Sequence, residues 1–171
     1  MTTIRRATLS EADTDVIVHH RRAMFRDIAL RDTGRADDAA LDAMGARFRP
    51  WLARKLETGE YLGWLAVDEG ECDAGEFNEG KVVAGAGLWL MDWPPNMLPG
   101  GHRRGHMLNV YTEPTHRRRG IARNVMQAAL AWCTANRIET VVLHASDEGE
   151  PLYASLGFMP TNEMRLNLPQ P

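Results

Sequence analysis

The stretch from residue 107 to residue 123 constrains the fold of this chain most, because a β-prone segment passes into a helical one through a short basic turn. The apolar run ends at Pro114, three arginines and a glycine follow at 117–120, and a helical pattern begins at Ile121. A strand that turns directly into a helix presents unpaired backbone N–H groups and the positive end of the helix dipole at one point. Such a point attracts phosphate, and Gly120 lets a ligand approach the backbone closely because it has no Cβ.

The turn taken alone supports two interpretations. It is a phosphate cradle, or it is a basic turn before an ordinary surface helix. It is not a Walker A loop, which needs Gly-Lys-Ser/Thr, and it lacks the three spaced glycines of a dinucleotide fingerprint. The choice between the two interpretations depends on the segments that follow.

A helix, a strand and a second helix are predicted after the turn. Residues 121–137 carry apolar side chains at the spacing of one buried helical face. Residues 140–144 form a short β-branched run, long enough for one buried strand. In the last segment Pro151 suits a first helical turn, and Gly157 predicts a left-handed cap at the end of the helix.

These segments together resemble the GNAT superfamily, the acetyl-CoA-dependent N-acetyltransferases. The resemblance rests on the Arg-x-x-Gly-x-Ala turn at 117–122, the Val-Val-Leu strand near 141 and the Leu-Tyr-x-x-Leu-Gly-Phe helix at 152–158. It extends over the chain, because residues 4–8 resemble the family's opening strand. It implies a single domain over 1–171 of the α/β (α+β) class, with a mixed, mostly antiparallel sheet of about six to seven strands flanked by about four helices.

The patterns along the chain predict elements in the order strand, helix, helix, three strands, helix, strand, helix, strand. Pro50 predicts a kink or a break in the second helix, and Gly85 and Gly87 predict a bulge. Residues 68–80 read as a long hairpin connection, and 92–104, with three prolines and two glycines, as irregular. Strands are predicted at 4–9, 61–67, 81–91, 106–112, 140–144 and 164–168, and helices at 10–28, 39–56, 121–137 and 151–157.

Charge and cysteine content limit the classes of partner and compartment. The net charge of −3 over 171 residues gives no global attraction to nucleic acid or to an anionic membrane. Cys72 and Cys133 have no metal-ligand spacing and are expected to be reduced thiols. The sequence has no apolar run near 18 residues and no signal-peptide pattern, so we expect a cytoplasmic protein.

The resemblance implies acetyl-CoA as the cofactor, with no metal. The N–H groups of the turn would bind the pyrophosphate, and the strands at 106–112 and 140–144 would separate so that the pantetheine arm lies between them. Ser146 stands where the family commonly has asparagine, so the match is looser there. The expected cofactor-binding residues are Leu108, Asn109, Val110, Tyr111, Arg117, Arg118, Arg119, Gly120, Ile121, Ala122, Arg123, His144, Ala145, Ser146 and Tyr153.

Acetyl transfer to an amine needs a neutral amine, a polarised thioester carbonyl and a proton for the departing thiolate. Tyr153 stands where the family often has a tyrosine that donates this proton; the alternative is an aromatic ring that fills the core beside Phe158. His106 is the candidate base, and the alternative is an exposed loop histidine. Glu113 is the reserve candidate, and a water chain could also remove the proton.

We therefore predict an N-acetyltransferase that moves an acetyl group from acetyl-CoA to a primary amine by direct attack in a ternary complex. A non-catalytic acyl-CoA sensor of the same fold is the alternative, and the net charge argues against a nucleic-acid binder. The acceptor is a small-molecule amine, a protein N-terminus or a lysine, and a homodimer is also considered. Its pocket is expected between the helices at 16–56 and the loop at 92–104, with candidate walls at Phe25, Phe48, Trp51, Trp89, Trp93 and Met97.

Overall fold

The computed structural model describes residues 1–69, 80–94 and 103–168. These residues form five strands, four α-helices and one short 3₁₀ turn at Pro114–His116, which lies between β4 and α3. The strands and helices in chain order are β1 (Thr2–Arg6), α1 (Glu11–Thr33), α2 (Asp38–Glu57), β2 (Tyr61–Asp68), β3 (Lys81–Asp92), β4 (Arg103–Thr112), α3 (Ile121–Ala135), β5 (Thr140–Val142) and α4 (Glu150–Ser155).

One mixed sheet with the order β1-β2-β3-β4-β5 organises the fold. The first four strands pair antiparallel, and β5 pairs parallel to β4. One face packs against α3, in a core that includes Val125, Met126 and Ala129. The other face packs against α1 and α2 through Ile17 and Leu52. The sheet is therefore covered by helices on both faces, as the sequence predicts.

A buried carboxylate ties β1 to the start of α1. Asp13 accepts hydrogen bonds from the Arg5 guanidinium at 2.6 and 2.8 Å and from the Thr8 backbone N–H at 2.7 Å. The Arg5 hydrogen bond is the main reason that the pKa of Asp13 is lowered to about 2. Ser10 caps the helix, since its side chain accepts from the Asp13 backbone N–H. The Ser-x-x-Asp pattern at 10–13 is typical of such a helix start, and the structure forms the Ser10 half of this motif, whereas the Asp13 carboxylate accepts from Arg5 and Thr8.

The helices on this face are longer and more regular than the sequence patterns predict. The helix predicted at 10–28 continues to Thr33 and ends at Gly34, whose φ is +70°, so that only residues 34–37 separate α1 from α2. The predicted break into two pieces at Pro50 is wrong, because α2 is one uninterrupted element, and the alternative, a kink, stays a prediction. Pro50 and Ala46 are both exposed, so water can bind the Ala46 carbonyl that loses its helical partner.

The predicted bulge is present, but its extra residue lies on β4. Gly85 pairs with Tyr111 and Gly87 with Leu108, so two steps on β3 match three steps on β4. Asn109 takes up the extra length with a φ of +54°. The two glycines have a different reason: a Cβ on Gly87 would lie 2.0 Å from the Tyr61 hydroxyl. Because neither position has a Cβ, neighbouring side chains can pack closely against the sheet there.

The predicted last strand at 164–168 is wrong, and the sheet of the described residues has five strands instead of six to seven. Met164, Leu166 and Leu168 alternate as a strand would, but they are 95%, 81% and 70% exposed and pair with no strand in the described chain. An alternating pattern becomes a strand only when a sheet edge pairs with it. The predicted hairpin connection and irregular loop lie mostly outside the described residues, as do Cys72 and Met97.

Candidate active site

A cleft of about 1250 Å³ runs between α1 and α2 on one side and the turn before α3 and α4 on the other, with β4 along its floor. Most residues expected from the sequence line it together. Of the expected cofactor-binding and catalytic residues, Arg119 and Glu113 do not line it. Those that line it are His106, Leu108, Asn109, Val110, Tyr111, Arg117, Arg118, Gly120, Ile121, Ala122, Arg123, His144, Ala145, Ser146 and Tyr153.

The basic turn forms an open end at the start of α3. Arg118 and Gly120 have φ values of +63° and +77°, and no side chain caps the helix. The first intrahelical bond runs from Asn124 N–H to the Gly120 carbonyl. A Cβ at Gly120 would meet no heavy atom within 4 Å. The N–H groups of the first helical turn therefore face open space, as an anion site needs.

The arginines of the turn differ in their roles. Arg117 donates from Nε to the Thr112 carbonyl at 2.9 Å and forms an ion pair with Asp27 of α1. Its guanidinium therefore holds the turn against β4 and α1, and Asp27 offsets the charge that the sequence assigned to phosphate. Arg118 and Arg119 are exposed. Arg123 donates to Ser155 Oγ at 2.6 Å and joins α3 to α4.

β4 and β5 separate where the sequence predicts that they do. Their pairing ends at His106 and Val142. Beyond these residues both segments continue along the cleft at 107–112 and 143–146 without pairing to each other. Backbone N–H and C=O groups on the inner edges are thereby available to an extended ligand.

Tyr153 lies on α4 with its ring edge-on to Phe158, at a centroid distance of 6.0 Å. Burial raises the pKa of the phenol, so the group keeps its proton at neutral pH. No described side chain forms a hydrogen bond with its hydroxyl. The geometry therefore allows both roles considered for it, packing against Phe158 and donating a proton into the cleft.

His106 is half-buried at the point where β4 and β5 separate, and its ring centroid is 5.1 Å from that of His144. Burial, together with the nearby His144 and Arg104, lowers the pKa of His106. The imidazole is therefore neutral near pH 7 and can accept a proton. Glu113 is placed differently, because its carboxylate contacts His19 Nε2 at 2.9 Å and the Tyr111 hydroxyl at 3.5 Å.

The wall opposite the turn contains residues that the sequence patterns did not single out. Asn109 donates from Nδ2 to the Tyr61 hydroxyl at 3.1 Å and accepts from Arg21 Nη1 at 2.9 Å. These partners lie 48 and 88 residues away, so no local pattern joins them. Of the predicted pocket walls, Phe25, Phe48, Trp51 and Trp89 line the cleft, whereas Trp93 does not.

Two features are absent from the described residues. No group of three or more His, Cys, Asp or Glu side chains among them is arranged to hold a metal ion. No helix in this part of the chain combines the length and apolar character needed to cross a membrane.

The chain is similar in sequence and in structure to known acetyltransferases. The profile of the Acetyltransferase (GNAT) family matches residues 24–158. A GCN5-related N-acetyltransferase from Ralstonia eutropha JMP134 shares 36% identity, with 98% of this chain and 99% of that chain covered and a TM-score of 0.80. A predicted acetyltransferase from Clostridium acetobutylicum, solved with acetyl-CoA, shares 26% identity over 98% and 96% of the two chains, with a TM-score of 0.76.

A curated relative matches over a shorter stretch. It is the glucosamine 6-phosphate N-acetyltransferase of Trypanosoma brucei brucei, 28% identical over 90 residues. The match covers 52% of this chain and 59% of that protein's length.

Proposed function

Since the chain belongs to the GNAT acetyltransferase family, we propose that it transfers an acetyl group from acetyl-CoA to a primary amine by direct attack in a ternary complex. The observation that carries this proposal is the meeting of three features in one cleft. They are the open N-terminus of α3, the separation of β4 from β5, and the side chains of Tyr153 and His106. On this proposal, residues 1–171 act as one domain.

The residues present fit acetyl-CoA. The uncapped first turn of α3 would hold the pyrophosphate, and the exposed Arg118 would add charge. The unpaired edges of β4 and of residues 143–146 would hold the amides of the pantetheine arm. Ser146 lines this channel, and its hydroxyl can still hydrogen-bond the arm.

The chemistry then needs three proton transfers around one substitution. His106 removes a proton from the ammonium group of the acceptor, which leaves a neutral amine. The amine nitrogen attacks the thioester carbonyl, a C–N bond forms and the C–S bond breaks, while Tyr153 gives its proton to the departing thiolate. The nitrogen loses its second proton to the Tyr153 phenolate, which restores the phenol, so the products are an amide, free coenzyme A and a proton held by His106.

Release of free coenzyme A with a panel of amines tests the proposal. We expect thiol release that depends on the acceptor and an acceptor that gains 42 Da, roughly the mass of an acetyl group added in place of one hydrogen. If acetyl-CoA binds but no amine causes release of thiol, the alternative of an acyl-CoA sensor is favoured. The serine at position 146, where the family commonly has asparagine, also supports that alternative.

The panel follows from what the chain resembles. Glucosamine 6-phosphate belongs in it because the curated relative carries that substrate in its name. Small amines, peptides with a free N-terminus and lysine peptides complete it. A cytoplasmic location and a homodimer are also proposals; the exposed alternation of Met164, Leu166 and Leu168 supports the second, and light scattering in solution tests it.

A further inference from the structure

The acceptor side of the cleft contains a cation that no carboxylate neutralises. Arg21 of α1 lines the cleft. None of the ion pairs among the described residues includes it. Its Nη1 donates to the uncharged Asn109 amide oxygen at 2.9 Å. Charges taken out of water are normally paired, so the missing partner indicates an anion that arrives with a ligand.

Two aromatic rings fix the guanidinium of Arg21. Its carbon lies 4.5 Å from the ring centre of Phe48 and 5.0 Å from that of Phe25. Stacking occupies the faces of a guanidinium and leaves its edge for in-plane hydrogen bonds. Nη1 is engaged by Asn109, whereas no described residue accepts a hydrogen bond from Nη2, and Nε is enclosed without a partner.

The two rings that contact Arg21 belong to a larger cluster of uncharged aromatic side chains. Trp51 stacks on Phe48 at 5.6 Å and meets Trp89 edge-on at 5.4 Å. Tyr61, beneath Trp51, receives the other hydrogen bond of Asn109. Burial raises the pKa of Tyr61 to about 12, so its hydroxyl supplies no negative charge to Arg21. Around Arg21 the pocket thus offers flat apolar walls and an oriented cation, and a second cation, Arg47 of α2, also lines the cleft.

Arg21 is also separate from the phosphate turn. The turn reaches α1 at Asp27, which pairs with Arg117. Asp27 follows Arg21 by six residues, about 9 Å of helical rise. The neighbouring Arg22 is different from Arg21, because it pairs with Asp42 of α2 at 2.7 Å. Along this stretch of α1, Arg21 is the cation that faces the cleft with a neutral partner.

We propose, on the basis of the acetyl transfer proposed above, that the acceptor carries an anionic group as well as its amine. A carboxylate or a phosphate of the acceptor binds the free edge of Arg21 between Phe25 and Phe48. The amine then points along β4 toward His106. Arg21 is a specificity-determining residue for acceptors of this class.

Matched amines test the proposal by the release of coenzyme A. Phenylalanine is compared with 2-phenylethylamine, and O-phosphoethanolamine with propylamine, so that each pair differs in its anion. We expect kcat/KM to be about 10- to 100-fold higher for the anionic member of at least one pair, the range of a charge-assisted hydrogen bond. The pair that shows the preference identifies carboxylate or phosphate as the group recognised.

Two substitutions on α1 complete the test. Arg21→Met keeps an apolar stem against the rings and should reduce kcat/KM for the anionic amine by about 10- to 100-fold more than for the neutral amine. Arg21→Lys should retain part of the preference. Arg26→Met is the matched control, because Arg26 is exposed on the same helix and does not line the cleft; it should leave both amines unchanged.

Equal losses for both members of each pair in Arg21→Met would overturn the proposal, since they would show that Arg21 acts on the thioester or on the shape of β4. No anionic preference in the unmodified protein would overturn it as well, while thiol release with neutral amines would leave the acetyl transfer standing.

Calorimetry separates the two proposals if no amine reacts. We expect 3-phenylpropionate, which has the anion but no amine, to bind the unmodified protein and Arg26→Met, and to bind Arg21→Met at least about tenfold more weakly. That result supports the anion site even if acetyl transfer fails. Equal affinity for all three proteins, or no binding together with no anionic preference, would overturn it.

Discussion

The two halves of the cleft are built from different parts of the chain. On the proposed function, the cofactor half is formed by segments between residues 106 and 158, which follow one another in sequence, and it includes the uncapped start of α3 and the edges of β4 and of residues 143–146 that do not pair with each other. The acceptor half is formed by side chains from α1, α2, β2 and β3 that meet β4 across separations of 48 and 88 residues. Local sequence therefore specifies the first half, whereas the second exists only once the helices pack on the sheet.

The largest expected effect is at the turn of the cofactor half. Gly120→Asp places a negative charge at the open end of α3, and like charges brought together cost several kcal/mol. We expect acetyl-CoA affinity measured by calorimetry to fall on the order of 100-fold. Gly120→Ala is the control, because it adds the Cβ and the cost of a positive φ without the charge.

The control should lose much less affinity than the charged variant. Equal losses in the two variants would assign the effect to backbone conformation. Unchanged affinity in Gly120→Asp with the fold intact would show that the turn is not the phosphate site, and the comparison between the two halves would lose its basis.

The second effect concerns chemistry in the cofactor half. Tyr153→Phe keeps the ring against Phe158 and removes the proton donor. We expect kcat to fall about 100-fold, as for a lost general acid, with acetyl-CoA affinity and melting temperature unchanged. A variant that keeps most of its kcat would show that water protonates the thiolate and that Tyr153 serves as packing.

Local patterns explain which parts of the fold were predictable. The order of the elements as far as α4 follows from periodicity, and the start of α1 from the cap at Ser10, because both depend on neighbours along the chain. The predicted strand at 164–168 and the predicted break at Pro50 fail for the opposite reason. A strand needs a paired edge, and a helical proline is tolerated when its carbonyl partner faces water.

The same distinction holds within the site. Gly120 could be predicted from the residues themselves, because a turn into a helix leaves a trace in adjacent residues, whereas the separation of β4 from β5 was implied by the family resemblance. Arg21 could not, because nothing in its own sequence context shows that its neighbour across the cleft is the neutral Asn109. Gly85 and Gly87 give an indirect indication of this part of the site, since glycines on a strand indicate that another group packs closely there. They do not indicate which side chain fills the space.

The third prediction tests whether the acceptor half is the acid-sensitive one. His20 lies 2% exposed under β4, and burial and the nearby His19 lower its pKa to about 4, although Glu113 opposes this. The unfolded chain, with the ordinary pKa of 6.5, binds the proton more readily, so stability is complete above pH 6.5 and falls as the pH drops toward 4. We expect about 2 kcal/mol less unfolding free energy at pH 5 than at pH 7.

Urea denaturation of the unmodified protein and of His20→Gln at both pH values measures this effect. The variant has no imidazole to titrate at this position, so it should lose less stability between pH 7 and pH 5. Other groups, such as Asp13, titrate in both proteins and cancel in the difference. An equal loss in the two proteins would show that the acid sensitivity lies elsewhere.

The smallest expected effect lies where the two halves meet, at His106, the last residue of β4 that pairs with β5. The pKa of His106 is lowered from the ordinary value of 6.5, so its imidazole loses the proton on the acid side of that pH. We therefore expect kcat/KM to rise with pH through this ionisation. An acceptor that loses its own proton would instead give a rise near the pKa of an amine, far above neutrality.

His106→Ala should remove the lower limb of the profile and reduce kcat/KM at pH 7 about tenfold. This is a small loss for a base, because water or the amine itself can substitute. Acetyl-CoA affinity should not change, since His106 contributes only a side chain at the junction. A pH profile that overlays that of the unmodified protein would assign the proton to a water chain or to the acceptor, and the chemistry would then belong to the cofactor half alone.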